Sequence, residues 1–265
     1  MAFEHHTNHR LRFEQQAENA KEYVLPFVQK TLSVSPGMRV LEIGCGEGGV
    51  LKPFFELGCE CVGVDLDQPR IDLAHEFLSE EIRSGRMTIM NQNVYEEQFL
   101  LKYRNAFDLI ILKDVIEHIH HQEAFIPFMK ELLKEKGQIF FGFPPWYMPF
   151  GGHQQIARKW ITSRLPYYHL LPKSLFKGFL KIAGENNHTV ETLMDVKETG
   201  ISIERFEKIC KESGYDIVQR QWYLFNPIYR YKFNLKPRVQ YAWLGALPFF
   251  RNFVTTCAYY TIQKH

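Results

Sequence analysis

The chain has 265 residues, enough for one large α/β domain with a sizeable insertion, and an apolar content of 45% excludes a disordered chain. Formal net charge is only +2, yet residues 145–184 hold six Lys or Arg and no acid, and residues 217–265 hold seven more and no acid. The rest carries 19 basic and 30 acidic groups, so the two basic windows stand out against an acidic remainder. The N-terminus MAFEHHTNHRLRFEQQ lacks an apolar signal core and no run has the length of a membrane span, so a cytoplasmic location is the expectation. Five cysteines at 45, 59, 61, 210 and 257 have no zinc-site spacing and read as buried thiols.

In chain order, helical spacing over 11–32 (Leu11, Ala17, Ala20, Val24, Phe27, Val28) precedes a Ser35-Pro36-Gly37 turn. RVLEIGCGEGGVL then gives a strand, a glycine-rich bend and a helix start. Strands are expected at 59–67 (CECVGVDLD), at RMTIMNQNV, at 107–115 (FDLIILKDV) and at QIFFGFP, with helices between them, the last around 122–134. Such a βαβ series implies a parallel sheet with right-handed crossovers. Residues 145–200 are aromatic, basic and helical in texture. A helix capped by Ser202 and ending at Gly214 follows, then a strand, and FVTTCAYYTIQK reads as a last strand. The expected organisation is an N-terminal helical cap (1–37), a Rossmann-like core (38–144), a helical lid or insertion (145–200) and the C-terminal part of the sheet (201–265).

Glu42-Ile43-Gly44-Cys45-Gly46-Glu47-Gly48 lies where a strand meets a helix, the place where open α/β sheets bind ligands. Gly44, Gly46 and Gly49 also satisfy G-x-G-x-x-G, and Asp65 stands 21 residues after Gly44, so a dinucleotide and a nucleoside cofactor both fit the glycines alone. An NAD(P)-dependent oxidoreductase and a non-catalytic nucleoside-binding protein are therefore the competing readings.

The wider pattern resembles the class I S-adenosylmethionine-dependent methyltransferases over about residues 38–144, and within them the ubiquinone-pathway O-methyltransferase-like group. An acidic residue followed by alternate glycines is matched by Glu42, Gly44, Gly46 and Gly48; an acid closing the second strand, by Asp65; a third-strand Asp or Asn, by Asn93; a fourth motif, by FDLIILKDVIEHI; and a fifth, by KGQIFFGFP. The resemblance implies a seven-stranded mixed sheet with helices on both faces, and S-adenosyl-L-methionine as cofactor. It places Gly44, Gly46 and neighbouring backbone along the methionine part, and counts Glu42, Cys45, Gly48 and Lys113 among the cofactor-binding residues. Asp65 would lie on the ribose hydroxyls, Leu66 on adenine, and Asn93 with the Val94 backbone on the adenine amino group. Asn91 competes with Asn93.

A sulfonium is an activated methyl donor, so the protein has mainly to align an acceptor and exclude water. Asp114, Glu117 and His118 share one helical face at D-x-x-E-H spacing. Similar segments in small-RNA 2′-O-methyltransferases and ubiquinone-pathway O-methyltransferases hold a divalent metal, to which His153 would add a fourth ligand. Alternatively His118 is a base, or the segment only braces its loop. Pro144 to Gln155 (PPWYMPFGGHQQ) reads as a substrate lid, with Tyr147 and His153 as its candidate site residues. Arg12 or Tyr23 of the first helix would reach the cofactor, whereas His5, His6 and His9 are expected to do nothing specific.

The basic windows suit an anionic acceptor, small or lipid-linked, with O-methylation preferred. Trp146, Trp160, Tyr167, Tyr168, Phe176 and Phe179 interleave with Arg158, Lys159, Arg164, Lys173, Lys177 and Lys181, so peripheral membrane contact through the insertion is also expected. No RNA-binding module is evident, and a nucleic-acid substrate is not expected.

Overall fold

A computed structural model describes residues 8–265, so His5 and His6 lie outside the described residues. Its centre is a sheet of eight strands: β1 (Arg39–Ile43), β2 (Glu60–Asp65), β3 (Met87–Asn91), β4 (Phe107–Lys113), β5 (Leu133–Phe143), β6 (Tyr215–Phe225), β7 (Arg238–Val239) and β8 (Cys257–Lys264). Their order is β3-β2-β1-β4-β5-β8-β6-β7. The first five are parallel to their neighbours, and β8 inserts antiparallel between β5 and β6. The mixed Rossmann-like sheet is as expected. The two-residue β7, paired at Tyr223–Val239, adds an eighth strand beyond the seven anticipated.

Alternation along each strand divides the core. Leu41, Ile110, Leu112, Phe141 and Tyr260 face one apolar layer, joined by Phe125 and Phe206. Val40, Leu109, Ile111, Phe140 and Tyr259 face the other, joined by Phe13, Val24 and Phe27 from the N-terminal helices. Residues adjacent in sequence thus serve opposite faces, as the pleat requires. All five cysteines are free and buried.

The N-terminal helix differs from one smooth run. It comprises α1 (His9–Asn19), a π-helical turn at Ala20–Val24, and α2 (Leu25–Val28). Pro26 has no N–H and its ring crowds the carbonyl four residues back, which accounts for the widened turn just before it. Further on come α3 (Lys52–Glu56), α4 (Gln68–Phe77), α5 (Ser79–Arg83), α6 (Glu97–Tyr103) and α7 (Gln122–Phe128). The expected helix to 134 ends at Phe128, one residue after Pro127. A 3₁₀ turn follows, and β5 starts at Leu133 with a register shift before Gln138, so Lys136-Gly137 falls inside an irregular strand.

Residues 145–200 form α8 (Trp160–Arg164), α9 (Lys173–Ile182) and α10 (Asn187–Thr199), besides two 3₁₀ turns. They share a small core of Ala157, Tyr168, Phe176, Leu180, Val190 and Leu193. Phe176 and Tyr168 are therefore packing residues and not surface aromatics. Glu185 fastens the start of α8, accepting from the backbone N–H groups of Arg158 and Lys159 at 3.1 and 2.8 Å and from the Thr162 hydroxyl. Then come α11 (Ile203–Glu212), capped by Ser202 as expected, α12 (Tyr229–Phe233) and α13 (Ala242–Gly245). Among the described residues no helix is long and apolar enough to cross a membrane.

Candidate functional site

The glycine loop leaves β1 at Ile43 and is tied to β2 at once: Gly44 and Cys45 both donate to the Val64 carbonyl, at 2.8 and 3.0 Å. Gly44 has φ +70°, and a Cβ there would lie 2.5 Å from Val115 Cγ2. Gly46, at φ +52°, donates its N–H to Asp65 Oδ2 at 2.7 Å, while Asp65 Oδ1 accepts from the Asp67 N–H at 2.9 Å. Asp65 thus shapes the loop as well as facing the cleft. Leu66 beside it is 71% exposed, an apolar surface at the place expected for adenine. Asn91 Nδ2 donates to the Asp65 carbonyl at 3.1 Å, whereas Asn93 accepts from the Tyr95 N–H at 3.0 Å and its amide nitrogen has no hydrogen-bond partner among the described residues. Of the two asparagines, Asn93 keeps a donor free for a ligand. Val94 behind it is buried.

Carboxylates surround this loop. Glu42 is buried with Oε2 unpartnered, and burial pushes its pKa well above the carboxylate range, only partly offset by Lys113. Glu47 is fully buried and is neutralised from α1 by both nitrogens of Arg12, with His9 Nδ1 at 3.2 Å. His9, expected to be idle, therefore joins the cap of the loop, and Arg12 reaches the loop itself. Gly49 is explained by the same helix: a Cβ on it would lie 2.6 Å from the Phe13 carbonyl oxygen. Of these acids Asp65 alone has no cationic partner among the described residues, and the segment after the loop is a 3₁₀ turn leading into the five-residue α3, too short to offer a pyrophosphate a helix N-terminus.

At the end of β4, Lys113 Nζ meets Asp114 Oδ2 at 2.5 Å. Burial works to lower the Lys113 pKa, but Asp114 outweighs it and holds the ammonium charged; the same pair keeps Asp114 ionised against its own desolvation. Asp114, with φ +57°, is therefore committed to Lys113 and stands outside the metal-like cluster expected of it. That cluster is Glu117, His118 and His153, one ligand atom from each lying within 4.8 Å of the others. The two imidazoles cross at 75° with ring centres 4.7 Å apart, and His153 Nε2 is 3.9 Å from Glu117 Oε1. Glu117 is buried and neither oxygen has a hydrogen-bond partner, and burial followed by the Asp114 charge pushes its pKa well up. Burial, and then His118, push His153 down to about 3, while partial desolvation lowers His118 as well. Both rings are neutral near pH 7, with lone pairs available.

The Tyr147 ring packs 5.0 Å from Phe249 and 5.5 Å from Phe253. Lys232 of α12, which the sequence reading did not single out, is a cation on the same side: burial lowers its pKa, Asp114 works against this, and Lys113 and Arg12 add to the lowering. No periodicity marks it, because a five-residue helix far along the chain carries it to the strand ends.

A family profile described as Methyltransferase domain matches residues 13–220. The chain belongs to that family. The donor of this methyltransferase domain is S-adenosyl-L-methionine, and the oxidoreductase reading of the glycines is set aside. The domain is 32% identical over 108 residues to a ubiquinone biosynthesis O-methyltransferase of Rhodopseudomonas palustris, covering 41% of this chain and 40% of that protein. It is 25% identical over 213 residues to the enzyme of the same name from Rhizobium etli, covering 80% and 74%. The first of these matches thus spans less than half of either protein. Among solved structures, phosphoethanolamine N-methyltransferase 2 of Haemonchus contortus with S-adenosyl-L-methionine superposes with a TM-score of 0.55 at 17% identity, covering 91% of this chain and 51% of that one. Geranyl diphosphate C-methyltransferase of Streptomyces coelicolor gives 0.57 at 11% identity, covering 91% and 78%. These two likenesses concern the fold.

Proposed function

We propose that this methyltransferase domain moves the methyl group of S-adenosylmethionine to a hydroxyl of a small or lipid-linked anionic acceptor, presented to Glu117, His118 and His153. The observation that carries the reading is the Glu117 carboxylate, buried, without a hydrogen-bond partner, and facing two neutral imidazoles. A buried carboxylate left unpaired is costly, and it makes sense where a cation or a proton arrives with the substrate. One carboxylate oxygen and two imidazole nitrogens fit a divalent ion such as Mn²⁺ or Zn²⁺. When bound, such an ion would lower the pKa of an acceptor hydroxyl.

The chain's own residues do the rest. Glu42, Asp65 and the loop N–H groups orient the cationic donor; Asn93 and Leu66 define the adenine end. With no ion held, the lone pair of His118, the more exposed imidazole, takes the hydroxyl proton as the oxygen attacks the methyl carbon and S-adenosylhomocysteine leaves; with an ion held, that lone pair is a ligand and the proton passes to solvent. Lys232, beside Asp114 and Arg12, gives the acceptor side its positive charge. The name of the R. palustris and R. etli relatives favours oxygen as the acceptor atom.

The test is a panel of hydroxyl, amine and carbon acceptors, each with and without a carboxylate or phosphate, assayed for S-adenosylhomocysteine release before and after chelation and Mn²⁺ addition. Turnover confined to anionic hydroxyl acceptors, and lost in Glu117→Gln, is expected. Turnover of amines alone, indifferent to Glu117, would overturn the reading.

A further inference from the structure

The C-terminal basic window contains a feature that methyl transfer does not use. Residues 241–250, Tyr-Ala-Trp-Leu-Gly-Ala-Leu-Pro-Phe-Phe, contain no charged group, yet Trp243 is 66% and Phe250 68% exposed, with Leu247 and Phe249 also exposed. The 3₁₀ turn that follows is not floppy: Glu204 accepts from the Phe249 N–H at 2.8 Å, from Arg251 Nε at 2.8 Å and from Asn252 Nδ2 at 2.6 Å. The protein holds these apolar side chains outward on a braced loop.

A second segment adjoins it. Helix α8 buries Thr162 under Glu185 and turns Trp160 (69% exposed), Ile161 (55%) and Leu165 to solvent. Two residues past Leu165, the Tyr167 hydroxyl donates to the Phe253 carbonyl at 3.2 Å, and the Phe253 ring lies 5.6 Å from Phe249. The two exposed segments are thus bound together through Tyr167 and Phe253. Scattered exposed apolar residues need no explanation, but tryptophan and phenylalanine gathered on joined, rigid segments do.

Charge selects the occupant. Arg158, Arg164, Lys236 and Arg238 are exposed beside these aromatics and have no ion-pair partner among the described residues, whereas Arg220, Arg230 and Arg251 of the same windows are spent on Glu207, Glu22 and Glu204. Arg164 and Arg238 lie over Trp160 and Tyr241, 5.3 and 4.6 Å from the ring centres. Indole and guanidinium side by side match the headgroup layer of a bilayer, where apolar rings enter the acyl boundary and cations meet lipid phosphates.

We propose that 160–167 and 241–250 together dock the protein reversibly on an anionic membrane surface. Tyr147, which packs on Phe249 and Phe253, belongs to the same connecting segment as His153, so one stretch of chain serves both the docking face and the histidine pair. Docking does not depend on which acceptor is methylated. Trp160 of the insertion and the C-terminal loop carry the docking, and Tyr168 and Phe176, which are buried, do not.

Flotation of the full chain with vesicles of phosphatidylcholine alone, and with a third of the lipid replaced by phosphatidylglycerol, tests this. Binding to the anionic vesicles, weakened by 0.5 M salt, is expected. Trp243→Asp and Phe250→Asp should each weaken it roughly tenfold or more, since each removes a large buried apolar surface from the bilayer. S-adenosylhomocysteine binding measured by calorimetry should stay unchanged in both variants and reports that they fold. A quieter variant, Trp160→Ser, should weaken docking in the same direction. Failure of the wild type to bind anionic vesicles would overturn the proposal, as would binding unaffected by all three substitutions. Concentration-dependent self-association abolished by Phe250→Asp, with no vesicle binding, would assign the face to a second copy of the chain instead.

Discussion

Arg12 closes on Glu47 with both Nε and Nη2, so that a side chain of the first helix neutralises a fully buried carboxylate in the glycine loop. Phe13 packs on the same loop through its backbone at Gly49, leaving no room for a larger residue there. The N-terminal helix is therefore part of the cofactor loop and not an appendage.

Arg12→Ala leaves Glu47 with only the half-exposed His9 beside it. Removing one partner of a buried ion pair costs several kcal/mol; with Arg12 partly solvated, about 2–3 kcal/mol is expected here. Thermal unfolding should fall by roughly 4–10 °C. Affinity for S-adenosylhomocysteine should fall as well, because the loop loses its lid. An unchanged midpoint in a calorimetric scan would mean that α1 does not stabilise the loop.

Gly46 and Gly48 separate binding from folding. Both have positive φ, +52° and +79°. A Cβ on Gly48 would sit 2.6 Å from Leu78 Cδ1 in the core, while one on Gly46 meets nothing nearer than Arg70 at 3.7 Å. Gly48→Ala should lower the unfolding midpoint more than Gly46→Ala, with strain of roughly 1–2 kcal/mol common to both. Gly46→Ala should show its larger effect on cofactor affinity, since its added methyl enters space at the cleft. Parallel unfolding and titration of the two variants decides the matter, and the reverse ranking would contradict this account.

The sheet was legible because β1, β2, β4 and β5 are short apolar runs between turn residues, and the loop because glycines at fixed intervals have few other uses. The limit of the helix near Pro26 depended on how a helix accommodates an internal proline, which hydrophobic spacing does not report. His153 was accessible as a polar residue in a Pro/Gly-bounded lid, but its meeting with His118 required the chain to return across the strand ends. Lys232 and Glu47 escaped notice for opposite reasons. Lys232 lies in a short helix with no pattern, and Glu47 looked like a spacer between glycines although it anchors Arg12. The basic insertion was misleading at Tyr168 and Phe176: their spacing suits a surface face equally well, and only the packing of α9 against α10 shows that they are core.

Glu117 gives a prediction in which stability and activity part. Burying Glu117 without a partner requires it to take up a proton or to keep an unpaired charge, either of which opposes folding, and glutamine keeps its size without that cost. Metal-free Glu117→Gln should unfold at or above the wild-type temperature. Mn²⁺, which should raise the wild-type midpoint by mass action, should no longer do so, and turnover should fall by roughly a hundredfold or more. A destabilised variant with full turnover would show that Glu117 is a packing residue.

Glu204 supplies a pH dependence whose sign is fixed. Its burial raises the pKa, but the Phe249 N–H, the Asn252 amide and the Arg251 guanidinium together outweigh this and hold it below the ordinary glutamate value of 4.5. In the unfolded chain the carboxyl takes up its proton near that ordinary value; in the folded protein it does so only at lower pH. Its contribution is therefore complete above the unfolded value, at neutral pH, and is lost as pH falls through the folded one. Glu204→Gln should lower the unfolding midpoint at pH 7, and the difference from wild type should shrink as pH drops below about 4.5 and vanish in stronger acid. Because Glu42 and other buried acids titrate in both proteins alike, the comparison isolates this one carboxylate. A midpoint difference that stays constant from pH 7 to pH 3 would mean that Glu204 acts through packing and not through its charge on the 249–252 turn.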